Sequence, residues 1–516
     1  MANSRTKNSA LTMATSGIRQ ILTLILAFAS RTVFIYTLGA DYLGLNGLFS
    51  NILSILALSE LGIGGAIAFY LYKPLVDKDI ERIKVLMSFY RRCYNYVGLS
   101  ILILGCALMP FLHFFVNLEQ LLPENIYLIY FLFLLQNATT YFFFAYKQTL
   151  VSANQELYKI EKLNILFTFV NCLTDIVVLF VFRDFIVYLL VKLLLVIIKN
   201  VVISNKIDKE YPYLRESCGG KLSLDEIRGF FKDLYSLSVF RLGSTLFNTL
   251  SNIIISVLIG TVVVGYYSNY FMVISHVNVI YILLITSFTA GIGNVVAKEE
   301  RNRQIAVYQK LSLLTFFVYA FCSICLFQLI NSFMNIWLGG VNSAYVFSQS
   351  VVLFICLNFY IDASSQLDFT FRNASGNFKI GRHLQIVGGL VNVCLAIPLC
   401  KTFGLTGLFA AQVIAKAFIT YFPFLFNVEK QVFGFTKWYV FKQWFCKFVF
   451  TVITSTVIWG ICMKLHQTTL LNFLIEVIIT VVLIVISIVL IYRKSPAYLE
   501  ILGLIKSAFR RKRFLV

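Results

Sequence analysis

Residues 19–68 read RQILTLILAFASRTVFIYTLGADYLGLNGLFSNILSILALSELGIGGAIA. Two long apolar runs flank a short turn bounded by Gly39 and Gly44, with Arg19, Arg31 and Glu60 set inside them. Each run approaches or exceeds the about 20 residues needed to cross a bilayer. The pattern returns at 241–297: RLGSTLFNTLSNIIISVLIGTVVVGYYSNYFMVISHVNVIYILLITSFTAGIGNVVA. Arg19 answers to Arg241, Gly39 to Gly260 and Gly44 to Gly265, all at nearly one offset. Gly62 and Gly64 answer to Gly291 and Gly293 after a short insertion. A doubled membrane unit with a cation in each copy is the pattern of two-lobed carriers that bind near the midplane.

Working outward, the 516 residues are 59% hydrophobic and only 13% charged, with a mean hydropathy of +0.81. Soluble chains average about 45–50% and about 25%. An all-α integral membrane protein follows. Residues 1–10 are polar and the first apolar run is too long for a signal segment, so no cleaved leader is expected. The net charge of +20 could suggest nucleic acid, but the Lys and Arg residues lie in short loops between apolar runs, where positive charge sets topology. The eleven cysteines sit almost wholly in apolar runs. Cys322 and Cys325 lie mid-span in FCSICLF without further ligands nearby, and the four histidines are scattered. They read as packing residues, and no metal or cofactor is expected.

About fourteen spans emerge, from Leu11–Tyr36 to Leu470–Tyr492. With the N-terminus inside, nearly every basic loop falls on one side, and only Arg183, Lys401 and Lys464 on the other. Both termini are then cytoplasmic, and the outer loops are too short to hold a soluble domain. The organisation expected is two pseudo-symmetric six-helix lobes plus a C-terminal helix pair. Residues 1–204 form the N-lobe, 205–233 a cytoplasmic linker, 234–428 the C-lobe, and 429–516 spans thirteen and fourteen with a basic tail.

Five cations lie inside spans: Arg19, Arg31, Lys192, Arg241 and Lys416. Each costs about 2.5–3.5 kcal/mol at a helix centre and persists only facing protein, water or a ligand. Arg19, near a span end, can snorkel; Lys192 and Lys416, each mid-span, cannot. Arg19 with Arg241, and Lys192 with Lys416, make two cation pairs related by the repeat, which points to an anionic ligand. The embedded acids are Glu60, Asp175, Asp362 and Glu476. Glu60 is expected to pair with Arg19 or to bind a proton or sodium ion. Asp175 is a coupling-ion candidate that Lys192 on the next helix could instead neutralise. Asp362 and Asp368 read as interfacial. Gly62, Gly64, Gly291 and Gly293 allow close helix packing or a hinge. No nucleotide-binding or hydrolase motif occurs, so any transport runs on an ion or substrate gradient.

The segments SELGIGGAIA, NSFMNIWLGG and ASGNFKIGRHLQIVGGLVNVCLAIPLCKTFGLTGLFAAQVIAKAF resemble Wzx-type polysaccharide flippases. Their superfamily also holds multidrug extruders and lipid II flippases. The resemblance covers nearly the whole chain. It implies two lobes around a cavity that opens alternately to each side. It also implies a polyprenyl-diphosphate-linked oligosaccharide as substrate, bound through Arg19 and Arg241, with Arg31 less securely matched. Surface polysaccharide (O-antigen, capsule or exopolysaccharide), a bacterial cytoplasmic membrane, H+ or Na+ coupling, and polymerase and export proteins of the same pathway as partners would follow. Such a protein is not an enzyme. Two alternatives remain open at this point. A multidrug extruder would bind cations and tends to carry acids where this chain has arginines. A membrane-embedded polymerase or ligase would need a large outer loop.

Overall fold

A computed structural model describes the chain except residues 1, 58–62, 119–122, 144, 155, 217–219, 221, 378–379, 382, 464–468, 501 and 504–516. The described residues are helical, without a strand. In chain order the helices are α1 (Ala2–Leu38), α2 (Ala40–Leu56), α3 (Ile63–Asp77), α4 (Ile80–Leu108), α5 (Ile126–Phe143), α6 (Ala145–Ala153), α7 (Tyr158–Phe182) and α8 (Phe185–Glu210). They continue as α9 (Leu224–Leu258), α10 (Thr261–Lys298), α11 (Arg301–Met334), α12 (Gln349–Ala374), α13 (Leu384–Ile414), α14 (Phe422–Val428), α15 (Lys437–Cys462) and α16 (Leu470–Tyr492).

Local chemistry starts and stops these helices. Asp79 and Asp184 accept from the backbone N–H groups of Arg82 and Val187, and Ser223 with Glu226 forms a reciprocal capping box. Gly39 (φ 86°) and Gly260 (φ 146°) make the breaks between α1 and α2 and between α9 and α10, at matching places in the two copies of the repeat. A side chain is strained at such angles, which is why glycine recurs there.

Among the described residues ten helices are by themselves long and apolar enough to cross a membrane, and the bent α5–α6 pair makes an eleventh. The fourteen expected runs map onto the same helices. The second is shared by α2 and α3, and the seventh lies in α9. The eleventh and twelfth are fused in Leu384–Phe433, which reverses at Gly404 (φ 59°, ψ −140°). Leu384 packs on a cluster that contains Phe424 and Val428. In a straight helix those residues would stand about 60 Å away, so the segment is a hairpin. Apolar side chains such as Ile25 (60% exposed), Phe180 (70%) and Ile478 (63%) cover the outer surface. Water would not tolerate that surface; lipid does. The protein is multi-pass.

Packing divides the chain into two compact units, Met1–Ser268 and Asn269–Val516. In the first unit, Phe34, Phe185 and Tyr188 meet edge-on or stacked, and Phe49 packs on Tyr130 and Phe133. Helices α1 and α7 run parallel: Arg19 lies beside Glu161, Leu26 beside Cys172 and Ser30 beside Asp175. In the second unit, Tyr308, Phe371 and Phe433 form an aromatic core over Ile292. The C-terminal pair α15–α16 joins this unit through Ile324, Ile458, Cys462 and Ile484, with Cys325 packed against them.

The glycines of the repeat do different jobs. At the first turns of α2 and α10, a Cβ on Gly265 would fall 2.7 Å from the Ala40 carbonyl oxygen and 2.8 Å from the Gly44 nitrogen. A Cβ on Gly44 would overlap the Thr261 carbonyl. The two equivalent glycines of the repeat thus lie against each other, backbone on backbone. Gly291 and Gly293 have nothing within 4 Å of an added Cβ, and Gly64 has only ordinary contacts with Tyr94 and Thr149. The close-packing role expected of Gly291 and Gly293 falls to Gly44 and Gly265 instead. Gly62 lies outside the described residues.

Candidate functional site

The first unit holds its embedded charges in two tiers. The lower tier starts from Arg19 on α1. Its Nε stands 2.7 Å from Glu161 Oε2 on α7, a charge pair whose N–H is not aimed along the contact. Glu161 is buried, and Lys199 of α8 lies within electrostatic reach of both. Two cations therefore surround one acid. The Arg19–Glu60 pairing falls outside the described residues. Glu161 and Lys199 escaped the sequence reading because each stands near a span end, where charge is ordinary.

The upper tier lies about 18 Å further along α1, at about 1.5 Å per residue. Arg31 donates through Nη2 to Ser268 Oγ. Ser30 Oγ donates to Asp175 Oδ2 at 2.9 Å, and Lys192 Nζ stands 3.3 Å from the same oxygen. Lys192 also rests over the Tyr188 ring, 4.6 Å from its centre, and Tyr188 feels the charge of Arg31. Arg31 and Lys192 both act on Tyr188, which also feels the one acid, Asp175. Asp175 and Lys192 thus meet, and Asp175 is engaged on two sides. With about 18 Å between them, Arg19 and Arg31 cannot grip one phosphate together. Arg241 lies on α9 in this same unit; its side chain is outside the described set.

A cavity of about 530 Å³ opens beside the upper tier, with Lys192 and Tyr188 on one wall and residues of α2, α5 and α6 on the others.

In the second unit, Lys416 is buried and its Nζ donates to Asp362 Oδ2 at 2.6 Å. Asp362, expected at an interface, instead reaches a mid-span lysine. Nearby, the Tyr308 hydroxyl stands 2.8 Å from Asp368 and 2.9 Å from Glu429, both buried carboxylates. One phenolic hydrogen cannot serve both at once. Lys447 turns to Ser312 Oγ at 2.7 Å, and all five residues line a cavity of about 420 Å³. Lysines recur through 430–447, a pattern that in sequence reads as a basic loop. In the structure α15 begins at Lys437 and carries Lys447 inward.

Outside the spans, Glu156 and Lys159 are fastened to the end of α8. Lys159 pairs with Glu156 and Glu210, each at 2.9 Å, and the Tyr211 hydroxyl donates to Glu156. Burial pushes the Glu156 carboxyl up, but the bonds from Tyr211 and Lys159 outweigh it and hold the group below its ordinary range. Burial pushes the Tyr213 phenol up to about 12.

The arrangement has solved counterparts. A lipid II flippase, MurJ, in an inward closed conformation superposes with a TM-score of 0.68, over 93% of this chain and 98% of its own, at 16% identity. The fold is shared with transporters of the MOP superfamily. An inward-facing multidrug resistance MATE transporter of that superfamily gives a TM-score of 0.63 over 80% of this chain and 95% of its own, at 14% identity. A MOP superfamily transporter from Pyrococcus furiosus gives 0.56 over 83% and 96%, also at 14%. No family model and no curated protein sequence matches the chain. At such identities the likeness establishes architecture, and the residues of the site must carry the rest.

Proposed function

We propose that this protein carries polyprenyl-diphosphate-linked oligosaccharides from the inner to the outer leaflet of a bacterial cytoplasmic membrane, for surface polysaccharide assembly. The observation that supports this reading is the excess of cations in both tiers of the first unit, Arg19 and Lys199 against Glu161, and Arg31 and Lys192 against Asp175. A diphosphate headgroup loses water as it crosses, and fixed cations offset that loss. Arginine forks suit phosphate oxygens. Arg19 and Arg241 would hold the diphosphate, with Arg31, Lys192 and Lys416 as further positive charge. The fuller coverage of the flippase relative to the MATE transporters agrees with this choice. Alternating access of the two lobes, driven by a proton or sodium gradient, would complete the cycle, with Asp175 and Glu60 as coupling candidates. Both termini would face the cytoplasm.

A second reading, an extruder of organic cations, has Asp175 in its favour. It requires that acid to release both Lys192 and Ser30 before a cation can approach.

Reconstitution into liposomes separates the two readings. The protein should expose a fluorescent polyprenyl-diphosphate glycolipid to an outside quencher or enzyme, and leave an organic dye cation such as ethidium where it was. Movement of ethidium without movement of the glycolipid would overturn the proposal.

A further inference from the structure

The cavity beside the upper tier has a chemistry of its own. Along α2, Asn46, Ser50 and Ser54 recur at every fourth residue and present one face to it. Gln136 and Asn137 of α5 and Gln148 of α6 complete its polar wall. Four primary amides in one membrane cavity are costly unless water or a ligand bonds them. Asn137 Oδ1 is sheltered from solvent and has no hydrogen-bond partner among the described residues. Ser50, Ser54 and Gln148 are exposed, and their position on the cavity gives that exposure a use.

The charge pattern narrows the ligand. Among the described residues no carboxylate lines the cavity, which disfavours an organic cation. Its one lysine among the described residues, Lys192, is paired with Asp175, so the cavity wall itself carries little net charge. What remains is a neutral partner rich in groups that both donate and accept. An amide offers a donor and an acceptor side by side, the complement of neighbouring sugar hydroxyls. Phe133 and Tyr141 add an apolar part to the lining, suited to the C–H side of a sugar ring. The volume lies inside the about 300–1,000 Å³ range of small-molecule sites.

We propose that this cavity, formed by α2, α5, α6 and α8, is a subsite for neutral sugar residues of the transported lipid, distinct from the cations that meet its phosphates. The inference rests on the glycolipid reading given above and adds where the glycan is recognised.

The test uses full-length protein in nanodiscs and native mass spectrometry with two probes, undecaprenyl diphosphate and the same lipid carrying a neutral hexose disaccharide. The wild type should bind both, the glycosylated probe at least tenfold tighter. Asn137→Leu and Gln148→Leu should each erase most of that preference while leaving the bare lipid bound as before. Gln148 is exposed on α6, so its variant keeps the test open if Asn137→Leu does not fold. Equal binding of the two probes by the wild type, or a preference unchanged in Gln148→Leu and a folded Asn137→Leu, overturns the subsite and leaves the export reading standing. Binding of neither probe overturns both.

Discussion

The backbone contact between α2 and α10 makes a sharp test of how the repeat is built. In Gly265→Ala the new methyl would lie 2.7 Å from the Ala40 carbonyl oxygen and 2.8 Å from the Gly44 nitrogen. Ordinary contact begins near 3.4 Å, so the helix ends must part by roughly 0.7 Å. No side chain can swing away, because both obstacles are main chain. Overpacking of this kind costs about 1–3 kcal/mol. Against that, alanine gains about 0.5–1 kcal/mol over glycine inside a helix, so a net loss of up to about 2.5 kcal/mol is expected. Gly291→Ala supplies the control: it has the same gain and no atom within 4 Å to meet. Thermal melting of detergent-purified protein, followed by size exclusion, should show Gly265→Ala melting below the wild type and Gly291→Ala at or above it. Gly44→Ala should resemble Gly265→Ala, and the double variant should lose less than the sum, since both methyls open one contact. If Gly265→Ala melts with Gly291→Ala, the two helix ends are not locked backbone to backbone and the argument fails.

Four further outcomes are expected. Arg19→Ala or Arg241→Ala should abolish surface glycan while the protein still inserts, with Arg→Lys only partly tolerated; normal display by both alanine variants would place the diphosphate elsewhere. Asp362→Ala should strip buried Lys416 of its carboxylate and lower the melting temperature, and adding Lys416→Met should recover part of the loss, because the cost lies chiefly in an uncompensated buried charge; a double variant no better than Asp362→Ala would refute this. Glu156 is held below its ordinary value of 4.5, so its share of stability is present above that pH and fades as pH falls through the lowered value; proteolytic protection of residues 153–159 should hold from pH 7 to about 5, and a steady decline across that interval would exclude Glu156 as the cause. Impermeant labelling of cysteines placed at 205–233 from outside should fail, and at 117–125 succeed, if the termini are cytoplasmic.

What the sequence made legible follows from the strength of each signal. Span number and the Gly39–Gly44 echo are long-range patterns that a few ambiguous residues cannot blur. The reversal between the eleventh and twelfth spans was expected at the short stretch holding Lys401, and the structure makes it at Gly404 within one continuous helical segment. Charge partners were harder. Lys192 with Asp175 could be foreseen, since adjacent spans placed them at one depth. Glu161 and Lys199 looked like ordinary span-end charges, and only the parallel run of α1 and α7 brings Glu161 to Arg19. Lys416 and Asp362 could not be joined from sequence, because Asp362 read as interfacial and lies two spans away. The amide cavity left no motif at all. Its residues come from four helices, and the four-residue period along α2 is shared by any helix with a polar face.

The pairing of Lys192, Lys416 and Arg19 with carboxylates bears on how a carrier of anions could return empty. An unpaired lysine or arginine would hold the empty state to water, because moving it through a low-dielectric region is costly. Here Lys192 has Asp175, Lys416 has Asp362 and Arg19 has Glu161, so each site is partly neutral without a ligand. In the proposed cycle an arriving diphosphate competes with these carboxylates instead of meeting bare charge. It gains less binding energy than an unpaired site would give, and leaves more readily on the far side. The excess of one cation in each tier of the first unit is what then favours the ligand over the resident acid. Replacing Glu161 by Gln should expose the cost of losing that balance: the glycolipid should bind more tightly and cross more slowly, with both effects read on the same proteoliposomes. Tighter binding with faster crossing would show that release is not the step these acids serve.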